Sequence, residues 1–131
     1  MAELNVAVRL DALPFDLRKP GGLKRSLQTA AEIGARGVEI CARTGIRPSD
    51  LSDTAVRQLR KMLDDLNLRV VAVRFQTRRG YDSTIDLDRR VDATKQAMKM
   101  AYELGAGVVL NQIGRIPEFV SPAASDPLRS R

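Results

Sequence analysis

Four strand-sized apolar runs, separated by three amphipathic stretches of helical period, restrict what this chain can fold into. Residues 4–10 (LNVAVRL) alternate and are β-branched, which predicts a first strand. Leu23, Leu27, Ala30 and Ala31 recur at helical spacing, and Gly34 follows as a stop. Residues 37–42 (GVEICA) read as the second strand. Residues 49–53 supply candidate N-caps for a second helix with the stripe Val56, Leu59, Leu63 and Leu66, and Asn67 can end it in the left-handed conformation. Residues 69–75 (RVVAVRF) form the third strand. Ser83 and Asp86 have the spacing of a capping box ahead of a third helix with Leu87, Val91, Thr94, Met98 and Ala101 on one face and Gly105 at its end. Residues 107–113 (GVVLNQI) are the fourth strand.

The order is βαβαβαβ. Strands separated by helices pair in parallel through right-handed crossovers. Strand starts near residues 5, 37, 69 and 107 give units of 32, 32 and 38 residues. That regularity fits a (β/α) barrel or a doubly wound sheet. Residues 30–35 (AAEIGA) also match residues 101–106 (AYELGA) at an offset of 71, although such a string is simply a good helix end before a strand.

Strand parity separates the two architectures. One face would carry Val6, Val8, Leu10, Val38, Ile40, Val71, Val73, Phe75, Val108 and Leu110. The other would carry Asn5, Ala7, Arg9, Glu39, Cys41, Ala72, Arg74, Gln76, Val109 and Asn111. A doubly wound sheet buries both faces under helices and would not hold Glu39 and Arg74 there. A barrel lumen accepts polar side chains at its carboxyl end, where barrel sites lie. The loop after the first strand (DALPFD, residues 11–16) also lacks a dinucleotide-binding glycine pattern. The expected fold class is therefore α/β, with parallel (β/α) units in strand order 1-2-3-4, half of a TIM barrel of about four strands and three helices.

A complete barrel takes roughly 250 residues, and this chain has 131. Residues 1–116 are expected to form the partial barrel. Residues 117–131 are expected to be a loop and the start of a truncated fourth helix, because Asp126 can cap it and Pro127 suits its first position. The competing reading makes these residues the frayed tail of a complete small protein.

Composition removes several function classes. There is no His, so imidazole metal ligands and Ser-His or Cys-His pairs are excluded. Cys41 is the single cysteine, which excludes an internal disulfide and fits a reducing compartment. Aromatic residues are 4% and Trp is absent, a poor surface for stacking bases. The net charge of +6 is spread among acidic residues, giving a mild preference for anions and no nucleic-acid partner. No apolar run reaches membrane-spanning length and no signal pattern opens the chain, so a cytoplasmic location is expected.

Residues 27–40 (LQTAAEIGARGVEI), 66–70 (LNLRV) and 101–109 (AYELGAGVV), together with the first strand, resemble the xylose-isomerase-like barrel superfamily. The resemblance spans most of residues 4–116 and implies a sugar or sugar-phosphate isomerase or epimerase. Such enzymes use a divalent metal held mainly by acidic and His side chains of later strands. The chain would then be the amino-terminal half of the barrel, inactive alone, with no cofactor of its own and a divalent metal in a full-length relative. The absence of His beyond the third strand, whose exit is Arg74, Phe75 and Gln76, sets it apart from the family's abasic-site nucleases. Glu39, within Val-Glu-Ile, carries over as a pocket-lining residue.

The catalytic residues stay unassigned and no metal ligand is named. The candidate substrate-binding residues are Arg9, Glu39, Arg74, Gln76, Asn111 and Gln112. Glu39 could hold substrate hydroxyls or form an ion pair with Arg9 or Arg74 across neighbouring strands, the second being favoured because unpaired buried carboxylates are costly. Arg74, with Arg78 and Arg79, could bind a phosphate; Arg78 and Arg79 read more simply as a solvated loop, and Arg74 has the inward parity. Asn111, Gln112 and Arg115 suit a polyhydroxylated ligand or the capping of backbone groups. Cys41 reads as a lumen filler, and Phe15 and Tyr81 as loop aromatics that either form part of a pocket wall or shield the loop from solvent. The alternative function is a non-catalytic half-barrel that dimerises or binds an anionic partner. The expected partners are a sugar or sugar phosphate and a second copy of the chain closing the barrel, with neither nucleic acid nor membrane.

Overall fold

The structure, a computed structural model, describes residues 5–76, 84 and 86–112. Its elements are β1 (Ala7–Arg9), α1 (Gly22–Glu32), β2 (Gly37–Cys41), α2 (Asp53–Asp65), β3 (Arg69–Phe75), α3 (Leu87–Glu103) and β4 (Val108–Asn111). Short 3-10 turns follow β1 at Leu10–Ala12 and precede α2 at Pro48–Asp50. The four strands form one parallel sheet in the order β1-β2-β3-β4, as the crossover argument requires. The expected fourth-helix start and the residues Arg78, Arg79, Tyr81, Ser83 and Arg115 lie outside the described residues.

All three helices end by one device. The residue after each C-cap has a positive φ: Gly34 at 89°, Asn67 at 56° and Gly105 at 77°. The next backbone N–H then turns back to a carbonyl five residues earlier: Ala35 to Ala30 at 3.0 Å, Leu68 to Leu63 at 2.8 Å and Ala106 to Ala101 at 2.8 Å. This is the Schellman arrangement, which satisfies orphan carbonyls and directs the chain into the next strand. The shared string at residues 30–35 and 101–106 is thus a helix stop.

The core lies between the helices and one face of the sheet. Val38, Ile40 and Val73 are fully buried against Leu27 and Ala30 of α1, Leu59 of α2 and Ala97 of α3, which belong to one contiguous cluster. Each large aliphatic side chain buried there contributes about 1.5–3 kcal/mol. The Ser52 hydroxyl caps α2 by accepting from the Ala55 N–H at 3.1 Å, within the span where a cap was expected. The N-cap of α3 is Asp86, left-handed at φ 54° and making no side-chain cap bond, while Ser83, the other residue of the expected capping box, lies outside the described residues. The buried face of α3 is also rotated from the expected stripe. Ala97, Met100 and Ala101 are buried and Met98 is exposed, because small side chains let the helix lie close to β3 and β4.

A register shift corrects the sheet faces. Val38 pairs with Val70, yet Glu39 pairs with Ala72, so Val71 is an extra residue in β3. Val70 takes the core position expected of Val71, and Val71 is exposed. Its methyl lies where a Cβ on Gly37 would be, 2.6 Å away, so that only glycine fits opposite it. In β4 the parity is the reverse of that expected. Val109 pairs with Val73 and packs on the core, while Val108 and Leu110 pair with Ala72 and Arg74 on the other face and are exposed.

Candidate functional site

The face turned away from the helices carries a row of charges of alternating sign at the carboxyl ends of the strands. Arg9 ends β1 and is in register with Glu39 on β2. Glu39 is opposite Ala72, and Arg74, two residues further along β3, shares that face. The Arg74 guanidinium donates from Nε to Glu39 Oε2 at 3.2 Å and from Nη2 to Oε1 at 3.4 Å, a two-point grip. Arg9 Nε approaches Glu39 Oε2 from the other side at 3.5 Å. Arg9 also donates to Asp11, from Nη2 to Oδ2 at 2.8 Å and from Nε to Oδ1 at 3.3 Å. That bond, and the charge behind it, raises the already high Arg9 pKa further.

The order is Asp11, Arg9, Glu39, Arg74, with no excess charge. Exposure is lowest in the middle: the side chain of Glu39 is 14% exposed, against 49% for Arg9 and 28% for Arg74 on either side of it. Glu39 is the partly buried pivot, paired as favoured above, and both guanidiniums keep further N–H groups for a ligand. Cys41, in register with Arg74, is partly buried. Burial pushes its thiol up. The Thr44 hydroxyl, donating to Sγ at 3.1 Å, and the backbone N–H groups of Thr44 and Arg43 push it down and prevail, so the pKa lies below the ordinary thiol value. Phe15 is stacked under the Arg25 guanidinium, 5.8 Å from its ring centre, in the region before and within α1.

The other candidates divide. The Gln76 side chain is exposed at the β3 exit, and its backbone carbonyl accepts from Arg43 Nη1 at 2.9 Å. Asn111 is in register with Phe75, on the opposite face from Arg74, which corrects its placement beside that residue. The cause is the β4 register. Its Oδ1 accepts from the Gln112 N–H at 2.7 Å, the backbone-capping role. Gln112 is exposed beyond the strand. Sequence reasoning did not find Thr44 as the partner of Cys41, nor the Arg43 bond across to β3. Residues three apart in a tight turn gave the first signal, and nothing local gave the second.

Among the described residues no group of three His, Cys, Asp or Glu side chains converges to hold a metal ion. Glu39 is held by two guanidiniums and Asp11 by one, so these carboxylates do not fit a divalent cation. The row instead offers alternating donors and acceptors. Each hydroxyl of a polyol can accept from a guanidinium and donate to a carboxylate.

Sequential parallel (β/α) units with a polar face at the carboxyl ends define a wall of a (β/α) barrel. The xylose isomerase-like TIM barrel family matches residues 27–127, and the chain belongs to that family. The D-allulose 3-epimerase of a Methylomonas species, solved with D-allulose, is similar with a TM-score of 0.66 and 18% identity over 93% of this chain and 41% of that one. A xylose isomerase domain protein of Planctomyces limnophilus gives 0.62 and 18% over 91% and 43%. A xylose isomerase-like TIM barrel protein of Mycobacterium smegmatis, solved with magnesium, gives 0.64 and 16% over 95% and 46%. The chain thus spans less than half the length of these structures. No curated protein sequence matches it. Among the described residues no helix is long and apolar enough to cross a membrane.

Proposed function

We propose that this chain forms the sugar-binding wall of a sugar or sugar-phosphate isomerase or epimerase, and works in the cytoplasm. The observation that carries this is the Asp11, Arg9, Glu39, Arg74 row, at the carboxyl ends of the strands in a family whose fold includes an allulose epimerase. Arg74 and Arg9 would donate to ring or carbonyl oxygens, Glu39 would accept from a hydroxyl, and Gln76 would reach in from the β3 exit. Gln112, exposed beyond β4, would serve the same end from the rim.

The engaged state of Glu39 favours a second reading, the non-catalytic module, for the chain on its own. A general base must take a proton outright, which would cost Glu39 its ion pairs with Arg74 and Arg9, whereas accepting a hydrogen bond from a hydroxyl on a remaining lone pair keeps them. The two readings meet in one expectation: weak sugar binding without turnover, and no tight binding of a divalent metal by the chain alone. Titration with D-allulose and D-fructose 6-phosphate, followed by amide chemical shifts, tests it. Shifts centred on residues 9, 39 and 74, weakened about tenfold by Glu39→Gln, are expected. Binding indifferent to both Glu39→Gln and Arg74→Gln, or turnover by the 131-residue chain, would overturn it.

A further inference from the structure

A groove between α1 and α2, on the helix side of the sheet, takes no part in the sugar-binding proposal. Its volume is about 460 Å³, in the range of small-molecule sites. Four segments wall it: the connection after β1, the start of α1, the connection after β2, and α2. Every lining residue falls within the continuous described span 5–76. Ile46 and Leu59 of its lining are buried, whereas Leu17, Leu23, Leu51 and Met62 pack on the core only in part. Each of those four leaves apolar surface in water, which is unfavourable in proportion to its area. Small residues keep the concavity open. Ala55 lines it from α2, and at Gly45 a Cβ would lie 2.9 Å from the Cys41 carbonyl oxygen and 3.3 Å from Leu17 Cδ1.

The rim carries a charge that the groove itself does not answer. Arg18 lines it beside Leu17, with an exposed side chain. Asp16, the nearest acid in the sequence, accepts at Oδ1 from the Arg18 backbone N–H at 2.9 Å. No carboxylate of the described residues reaches the Arg18 guanidinium within ion-pair distance. Across the groove Asp50 faces Arg47 at 3.4 Å, so that pair adds no net charge. A guanidinium presents paired N–H groups that match the two oxygens of a carboxylate. One such group beside an apolar concavity is the complement of a single anionic head on an aliphatic body.

We propose that this groove binds a singly charged amphiphile, a carboxylate with an aliphatic chain of medium length, independently of the sugar-binding face. The chain lies against Leu23, Ile46 and Met62, and the head meets Arg18 at the rim. Burial of methylene groups supplies most of the affinity, and the guanidinium selects the charge of the head.

Titration of the 131-residue chain with hexanoate, octanoate and octanol at about 0.15 M ionic strength, followed by amide chemical shifts, is the test. Saturable shifts centred on Leu23, Ile46 and Ala55 are expected. Octanoate should bind about tenfold more tightly than hexanoate and about fivefold more tightly than octanol. Arg18→Gln alters an exposed side chain and should abolish the preference for octanoate over octanol while leaving octanol binding as it was. Ala55→Leu fills the groove from a helical position and should weaken all three at least about tenfold. Arg57→Gln, which removes the same charge elsewhere on α2, should change nothing. Affinity that does not rise with chain length, or a preference for octanoate that survives Arg18→Gln, would overturn the proposal. Shifts centred on Arg9 and Arg74 would move the anion to the sugar-binding face and overturn it as well. Groove shifts that grow with protein concentration in the absence of ligand would give the surface to a second copy instead, and no saturable shift below about 10 mM would exclude a small amphiphile.

Discussion

Glu39 carries the most structural weight among the polar residues, because three oxygen–guanidinium contacts meet on it while it is nearly buried. Glu39→Gln leaves Arg74 facing a neutral amide and is expected to destabilise the fold by about 1–3 kcal/mol. Urea denaturation measures it, and a cycle with Arg74→Gln should show coupling, the double variant losing less than the sum of the singles. Additive losses would mean that the ion pair contributes nothing specific. Cys41 provides a pH-dependent counterpart. Because the folded thiol gives up its proton at lower pH than the unfolded one, the unfolded chain binds more protons across that interval. Stability should therefore rise with pH there and be lost as pH falls through the folded value. Thr44→Val removes the hydroxyl donor and should move the midpoint of iodoacetamide alkylation upward, with an unmoved midpoint counting against the assignment. The trio Arg9, Glu39 and Arg74 was legible in the sequence because polar residues at inward parity on β-branched strands have few reasons to exist. Asn111 was not, since Val108, Val109 and Leu110 are apolar on both faces and only pairing with β3 decides which face points in.

Helix ends were the most legible elements and strand register the least. Gly34, Asn67 and Gly105 announce left-handed stops because L side chains other than Asn and Asp seldom tolerate that conformation. The test is at Asn67. Asn67→Gly should be neutral within a few tenths of a kcal/mol, whereas Asn67→Val should cost about 1–2 kcal/mol by forcing a β-branched residue into positive φ. Equal stability of the two variants in thermal melts would mean that the α2 end rearranges freely. The bulge at Val71 had no comparable announcement. An extra residue is invisible until the partner strand is placed, and here it arises where Val71 crosses Gly37. The start of α3 had no clear announcement either, since short polar residues near a helix start suit several caps and the backbone at Asp86 takes a left-handed one.

At the scale of the molecule, the described sheet ends at β1 on one side and β4 on the other, and its inward face exposes Val71, Val108 and Leu110. Unpaired strand edges beside an exposed apolar face favour association. The chain covers 41–46% of the barrels it resembles, so two copies supply close to one barrel's worth of strands. With β4 of each copy beside β1 of the other, all strands stay parallel and a two-fold axis runs along the barrel. The charge row permits this closure, because each copy brings a matched set of two acids and two arginines to the lumen. The expected outcome is a concentration-dependent species of twice the 14.4 kDa chain mass in sedimentation velocity. Val108→Glu and Leu110→Lys should each weaken association at least about tenfold, since a charge cannot be buried unpaired at the closing seam. Tyr102→Ser, at an exposed site on α3, should leave it unchanged. A monomer at about 100 μM would show that the open sheet needs no second copy, and association indifferent to the β4 substitutions would place the contact elsewhere.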